Sequence, residues 1–223
     1  MLIIGLDTTS KSGSVSLINE NIFLGECLFN VGPRHSENVV SSLDWLLSTL
    51  NIEKQSIEAV AVSIGPGSFT SLRVGVTIAK SLAYTMNISI VGVSSLEVLA
   101  LNIPRTDRDI CTLMDAKREE VYSSIYKYNN NVLEQKRVEK VQSVDELCNE
   151  ISKPTVFVGD GAIIYKDQLD RSTNYEFVAG SFNILRSSNC ALLGRSKLLN
   201  GNSDDVMELA PNYLRKIDIE EKH

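Results

Sequence analysis

Apolar and polar positions along the chain switch between two periods, and each switch marks an element. Residues 2–7 form an apolar run ending in an acid, with the length and isoleucine content of a buried strand. Residues 13–18 and 22–29 flank Asn19-Glu20-Asn21 and predict a hairpin. Beyond Pro33, Val39, Val40, Leu43, Leu46, Leu47 and Leu50 recur at helical spacing. Ser36 suits the cap of that helix and Glu37 its positive end. Residues 58–64 predict a strand broken at Gly65-Pro66-Gly67-Ser68, 70–85 a helix rich in small residues, 88–93 a strand and 94–101 a helix.

Residues 102–109 hold Pro104 and several charges and predict a connector, after which the pattern restarts. A strand is expected at 110–115, again ending in an acid, then a hairpin of 120–128 and 132–141 around Asn129-Asn130-Asn131. A helix at 144–151 with Ser143 or Asp145 near its start, a strand at 155–158, the turn Gly159-Asp160-Gly161 and a helix at 162–169 follow. A strand at 175–178 and a helix at 184–200, stopped by Gly201, close the chain. The order βββαβα thus occurs twice without visible sequence repetition. A duplicated unit of this kind is the plan of the α/β actin-like, ribonuclease-H-like ATPase fold, with lobes at 1–103 and 104–223. The closing helix is expected to pack back on the first lobe.

Composition narrows the function classes. The chain has 223 residues, 43% hydrophobic and 22% charged, which excludes a disordered chain. With 22 basic against 28 acidic residues, the net charge of −6 excludes a strongly basic stand-alone nucleic-acid binder. No apolar run reaches the ~18–20 residues needed to span a bilayer, and the first residues lack a basic leader. A cytoplasmic protein with no membrane contact is expected. Cys27, Cys111, Cys148 and Cys190 are scattered, fit no zinc template and are expected to be reduced. The two histidines leave His35 as the one available for a nucleophilic triad, and a surface or capping role suits it better.

In the actin-like plan a nucleotide lies between the lobes, and three segments fall at the positions that would meet it. Asp7-Thr8-Thr9-Ser10 offers a carboxylate for a magnesium hydration shell and hydroxyls for a phosphate. It equally describes a turn that satisfies only its own backbone. Asp115-Ala116-Lys117-Arg118 reads as a degenerate phosphate turn, since glycines normally allow close backbone approach, with solvated turn residues as the alternative. Gly159-Asp160-Gly161 admits a flat ring or phosphate near a helix start, or is an ordinary strand-to-helix turn. Gly65-Pro66-Gly67-Ser68 lacks the Gly-Lys-Ser/Thr ending of a phosphate loop and is expected to aim the following helix.

These segments occur in order with others. They are Leu6-Asp7-Thr8-Thr9-Ser10, Arg34-His35-Ser36-Glu37, Ile64 to Gly75 (IGPGSFTSLRVG), Asp115 to Tyr122, Gly159-Asp160-Gly161-Ala162 and Ala210 to Arg215 (APNYLR). Together they resemble the TsaB (YeaZ-type) family of the bacterial tRNA threonylcarbamoyladenosine machinery, over essentially the whole chain. The family more often has glycine where Ser71 stands.

The resemblance implies a non-catalytic subunit that pairs with its longer paralogue TsaD and the ATPase TsaE to modify N6 of adenosine 37 in tRNAs reading ANN codons. Contact with tRNA would be indirect, and the isolated chain would form a homodimer. The implied interface lies on helices 35–50 and 70–85, through His35, Val39, Leu43, Leu46, Leu72, Val76, Ala79, Lys80 and Ala83. Gly65, Pro66, Gly67, Ser68, Phe69, Thr70 and Arg73 would form the family's turn. No metal and no tightly held cofactor are implied, and any ATP or ADP would sit at the interface with TsaD. The metal-binding histidine pair of the paralogue corresponds to Ser95 and Leu99, which cannot replace two imidazoles. That disfavours a metalloprotease. An independent actin-like ATPase or small-molecule kinase, with Asp7, Thr8 and Asp115 on Mg–ATP, is the rival reading.

Overall fold

The computed structural model describes residues 1–30 and 35–215, with the side chains of 35–37 outside that description. The first sheet contains β1 (Leu2–Asp7), β2 (Gly13–Asn19), β3 (Ile22–Phe29), β4 (Ala59–Gly65) and β5 (Ser89–Ser94) in the order β3-β2-β1-β4-β5. The second contains β6 (Asp109–Lys117), β7 (Glu120–Asn129), β8 (Val132–Ser143), β9 (Thr155–Val158) and β10 (Tyr175–Phe177) in the order β10-β9-β6-β7-β8. Read from the hairpin edge, the two orders are the same. In each, three antiparallel strands are followed by two parallel ones. This is the duplicated actin-like α/β plan.

Strand alternation sorts the core into layers. Leu2, Ile4 and Leu6 of β1 face α1 (His35–Thr49) and α2 (Phe69–Met86), while Ile3 faces the opposite side. On that opposite side lie α3 (Ser95–Ala100) and α7 (Ser187–Leu199), packed between the two sheets. The outer face of the second sheet carries α4 (Val144–Glu150), α5 (Asp160–Ile164) and α6 (Lys166–Leu169). The α7 helix lies close on the first sheet because small residues meet there. A Cβ at Gly5 would fall 2.1 Å from the Ser187 carbonyl oxygen, and one at Gly194 would fall 2.4 Å from the Ala61 side chain.

Local signals account for several boundaries. Ser143 and Glu146 form a reciprocal capping box on α4, and Ser94 accepts from the amides of Leu96 and Glu97 to start α3. Asn130 and Asn131 both take left-handed backbone, as a tight hairpin turn requires. Two expectations need correction. The helix predicted at 162–169 is two short helices, α5 and α6, divided at Tyr165, whose backbone leaves the helical region. The closing helix starts at Ser187 rather than 184, because Ile184 and Arg186 are extended. Pro33, Arg34 and the side chains of His35 and Ser36 lie outside the described residues, so the cap expected there does too. Among the described residues no helix is long and apolar enough to cross a membrane.

Candidate functional site

The turns at the ends of β1 and β6 and before α5 converge between the two sheets. A cleft of about 610 Å³ there is lined by Ser10, Lys11, Thr70, Asp115, Lys117 and Asp160, among others. Past the same lysines and aspartates it continues into a hollow of about 340 Å³ walled by Leu28, Phe29, Ile163 and Ile164. The structure thus brings Asp115, Lys117 and Asp160 together at one place, as the duplicated plan requires.

Asp7, Thr8 and Thr9 lie beneath that cleft, fully buried. The amide of Thr9 donates to Asp7 Oδ1 at 3.1 Å, and the Thr9 hydroxyl lies 3.2 Å from both Asp7 oxygens. Burial pushes the Asp7 carboxyl up to about 6, against the pull of these hydrogen bonds. The Thr8 hydroxyl donates to the Ser71 carbonyl at 2.6 Å, and the Thr9 carbonyl accepts the Ser68 amide at 2.8 Å. Gly67 passes so close that a Cβ would lie 2.4 Å from the Thr9 oxygen. The turn at 65–70 therefore seats the start of α2 on the end of β1, and it takes up the Thr8 hydroxyl that could have met a phosphate.

On the second sheet, Asp115 accepts from the Lys117 amide at 2.9 Å and the Tyr165 hydroxyl at 3.1 Å, and it pairs with the Lys117 ammonium. Burial alone would raise the Asp115 carboxyl, but these bonds outweigh it and hold it below its ordinary value. The ion pair in turn raises Lys117. Asp160 accepts the Asp115 amide at 3.1 Å, and its burial pushes it upward. Gly159 is needed by packing, since its φ is 115° and a Cβ would lie 2.0 Å from the Leu113 carbonyl oxygen. Gly161 also backs onto Leu113.

These groups do not fit a nucleoside triphosphate in the cleft. The hydroxyls of Thr8 and Thr9 are spent, the glycine turn is filled from behind by β6, and Asp115 is already paired with Lys117. Arg118 points away from the cleft, into a separate groove with Tyr122, Tyr213 and Arg215. Ser95 and Leu99 are core residues.

Most of the residues expected at a partner interface pack inside this chain. Val39, Leu43, Leu46, Val76, Ala79 and Ala83 are buried against the chain's own first sheet, and Leu72 is 1% exposed. The Lys80 ammonium donates to the carbonyls of Met207 and Leu209 at 2.9 and 3.1 Å. The apolar stripe of an amphipathic helix faces its own core first. The outward faces are different residues: Val40 and Trp45 on α1, and Thr70, Arg73, Thr77, Ser81 and Tyr84 on α2. Tyr84 is 73% exposed. The side chain of His35 lies outside the described residues.

Sequence reasoning passed over Tyr165, whose partner Asp115 is 50 positions away. It also left Tyr213 and Arg215 out of the site, although both belong to the Ala210–Arg215 segment (APNYLR). Arg73 Nε donates to the Tyr213 hydroxyl at 3.1 Å and its guanidinium lies 3.9 Å from the centre of the Phe69 ring.

Comparison with known proteins agrees with this fold. The family model described as TsaD, tRNA N6-adenosine threonylcarbamoyltransferase, matches residues 30–221. The tRNA threonylcarbamoyladenosine biosynthesis protein TsaB of Bacillus subtilis is 32% identical over all of this chain and 97% of its own length. That of Escherichia coli is 28% identical over 96% of this chain and 95% of its own. The solved structure of YeaZ from Pseudomonas aeruginosa has the same fold, with a TM-score of 0.82 at 21% identity, covering 96% of this chain and 99% of that one. The chain belongs to the TsaD-type family that this model describes and, within it, to the TsaB family of tRNA threonylcarbamoyladenosine biosynthesis proteins.

Proposed function

We propose that this chain is a non-catalytic scaffold in threonylcarbamoyl transfer to N6 of adenosine 37 in tRNAs reading ANN codons. It binds the catalytic paralogue TsaD, works with the ATPase TsaE in the cytoplasm, and touches tRNA through them. One observation carries the reading. The groups that would bind and turn over a nucleotide are committed to internal bonds, while α2 presents an outward row of small and aromatic side chains that its own fold leaves uncovered. A lasting interface of this kind buries roughly 1,200–2,000 Å². Thr70, Thr77, Ser81 and Tyr84 supply its centre, and the same face supports a homodimer when TsaD is absent. Any ATP or ADP belongs at the surface shared with TsaD rather than in this chain's own cleft.

Co-purification with TsaD and TsaE, followed by modification of unmodified tRNA, tests the reading. A stable complex, and modification that needs this chain, are expected. Failure of both overturns it. Titration of the isolated chain with Mg–ATP separates the rival kinase or ATPase, which predicts tight binding and turnover.

A further inference from the structure

Residues 204–215 run as a strap over the first lobe and end on the second. At the start, the Asp204 amide donates to the Ile90 carbonyl at 2.9 Å, and its carboxylate accepts the Gly92 amide at 2.7 Å. Lys80 of α2 holds the carbonyls of Met207 and Leu209. The Asn212 amide donates to the Ile64 carbonyl at 2.7 Å, and the Asn212 oxygen occupies the space that a side chain at Gly65 would need. The Tyr213 ring packs at a tilt against that of Phe69, with ring centres 4.9 Å apart. Up to this point the strap is anchored to β4, β5 and α2.

Two side chains then reach the other lobe. Asn212 Nδ2 donates to Glu139 of β8 at 3.3 Å, and the second oxygen of Glu139 is bound by Ser94 of the first sheet. Arg215 donates from Nη1 to the Ala116 carbonyl at 2.7 Å and pairs through Nη2 with Glu120. Ala116 and Glu120 flank Lys117, Arg118 and Glu119, whose φ values are 64°, 58° and 61°. L residues visit this left-handed region rarely, and then usually singly. A run of three without a glycine opens unless both ends are held. Asp115 and the Val144 amide grip the turn from within its own lobe, and Arg215 closes it from the other.

We propose that the strap is an interlobe clasp, with Arg215 as a positioning residue that holds the left-handed turn 117–119 shut while Asn212 and Glu139 pin the two sheets at a set angle. The turn lines both the cleft and the groove of Arg118. The clasp therefore ties the shape of those spaces to the surface of α2, where the strap is anchored.

Hydrogen exchange on the full chain tests this. Arg215→Ala should speed exchange in peptides covering 115–122 about tenfold while α1 and α4 stay at wild-type rates. Adding Arg118→Gly should bring exchange in the same peptides back toward wild type, because glycine takes the left-handed conformation freely. Arg215→Lys keeps the charge but loses the forked geometry, and should give an intermediate local rise. Unchanged exchange at 115–122 in Arg215→Ala and Arg215→Lys overturns the proposal. So does a uniform rise across the molecule, or a double variant that exchanges as fast as Arg215→Ala.

Discussion

The hydroxyl of Thr8 stands where a side chain at Gly75 would have to go: a Cβ there would lie 2.4 Å from that oxygen. Gly→Ala inside a helix ordinarily stabilises by about 1 kcal/mol. Here the sign reverses, because Thr8 is held in place by Ser71 and cannot swing aside. Gly75→Ala should cost about 1–3 kcal/mol by urea denaturation. Thr8→Ala in the same chain should recover part of that loss, since it removes the obstructing atom.

Asp7 makes stability depend on pH. Its carboxyl titrates at about 6 in the fold against 3.8 as the ordinary value, so the folded state holds the proton more tightly. The stabilisation is complete below pH ~4 and is lost as pH rises through about 6. Asp7→Asn removes this dependence and should be more stable than wild type at pH 7.5, by up to about 3 kcal/mol, while differing little at pH 4. Urea midpoints at the two pH values check it. A variant curve parallel to wild type would refute the assignment.

Glu26 caps α7 from another part of the chain. Its carboxylate accepts from the Ser188 amide at 3.0 Å, from the hydroxyls of Ser187 and Ser188, and from Arg186. Glu26→Ala strands the Ser187 and Ser188 donors next to buried surface and should cost about 2–3 kcal/mol. Faster amide exchange should begin at the first turn of α7.

The partner face proposed on α2 separates binding from stability. Tyr84→Asp should leave the denaturation midpoint within about 0.5 kcal/mol of wild type, because the ring is largely in solvent, yet abolish association with TsaD. Val76→Asp on the inner face should instead unfold the protein, by placing a charge in the core. Size-exclusion chromatography and circular dichroism distinguish the two.

These contrasts explain what was legible beforehand. The strands, both hairpins and the start of α4 near Ser143 were readable because their signals are local: runs of apolar residues, asparagine turns, and a polar capping residue before an apolar-periodic stretch. The start of α7 was not, since its cap is a carboxylate some 160 positions earlier. The interface residues that the resemblance implies are mostly the helices' inner faces, buried in this chain's own core, because the apolar stripe of an amphipathic helix packs on its own sheet first. The site itself was half legible. Asp115, Lys117 and Asp160 meet as the duplicated plan requires, and the Thr9 amide bonds back to Asp7 as the self-satisfied turn would, but nothing in the string reveals that the Ser71 carbonyl takes the Thr8 hydroxyl.

The return of α7 to the first sheet has a consequence for synthesis. The inner faces of Gly5 and Ala61 are covered by residues near 187–194. A ribosome adding about 5–20 residues per second needs roughly 5–20 s to travel from the end of the first unit to that helix. Throughout this interval the nascent first sheet has one finished face and one open apolar face, exposed to neighbouring chains and to chaperones. The molecule closes late, and its most aggregation-prone moment comes before its last third has been made.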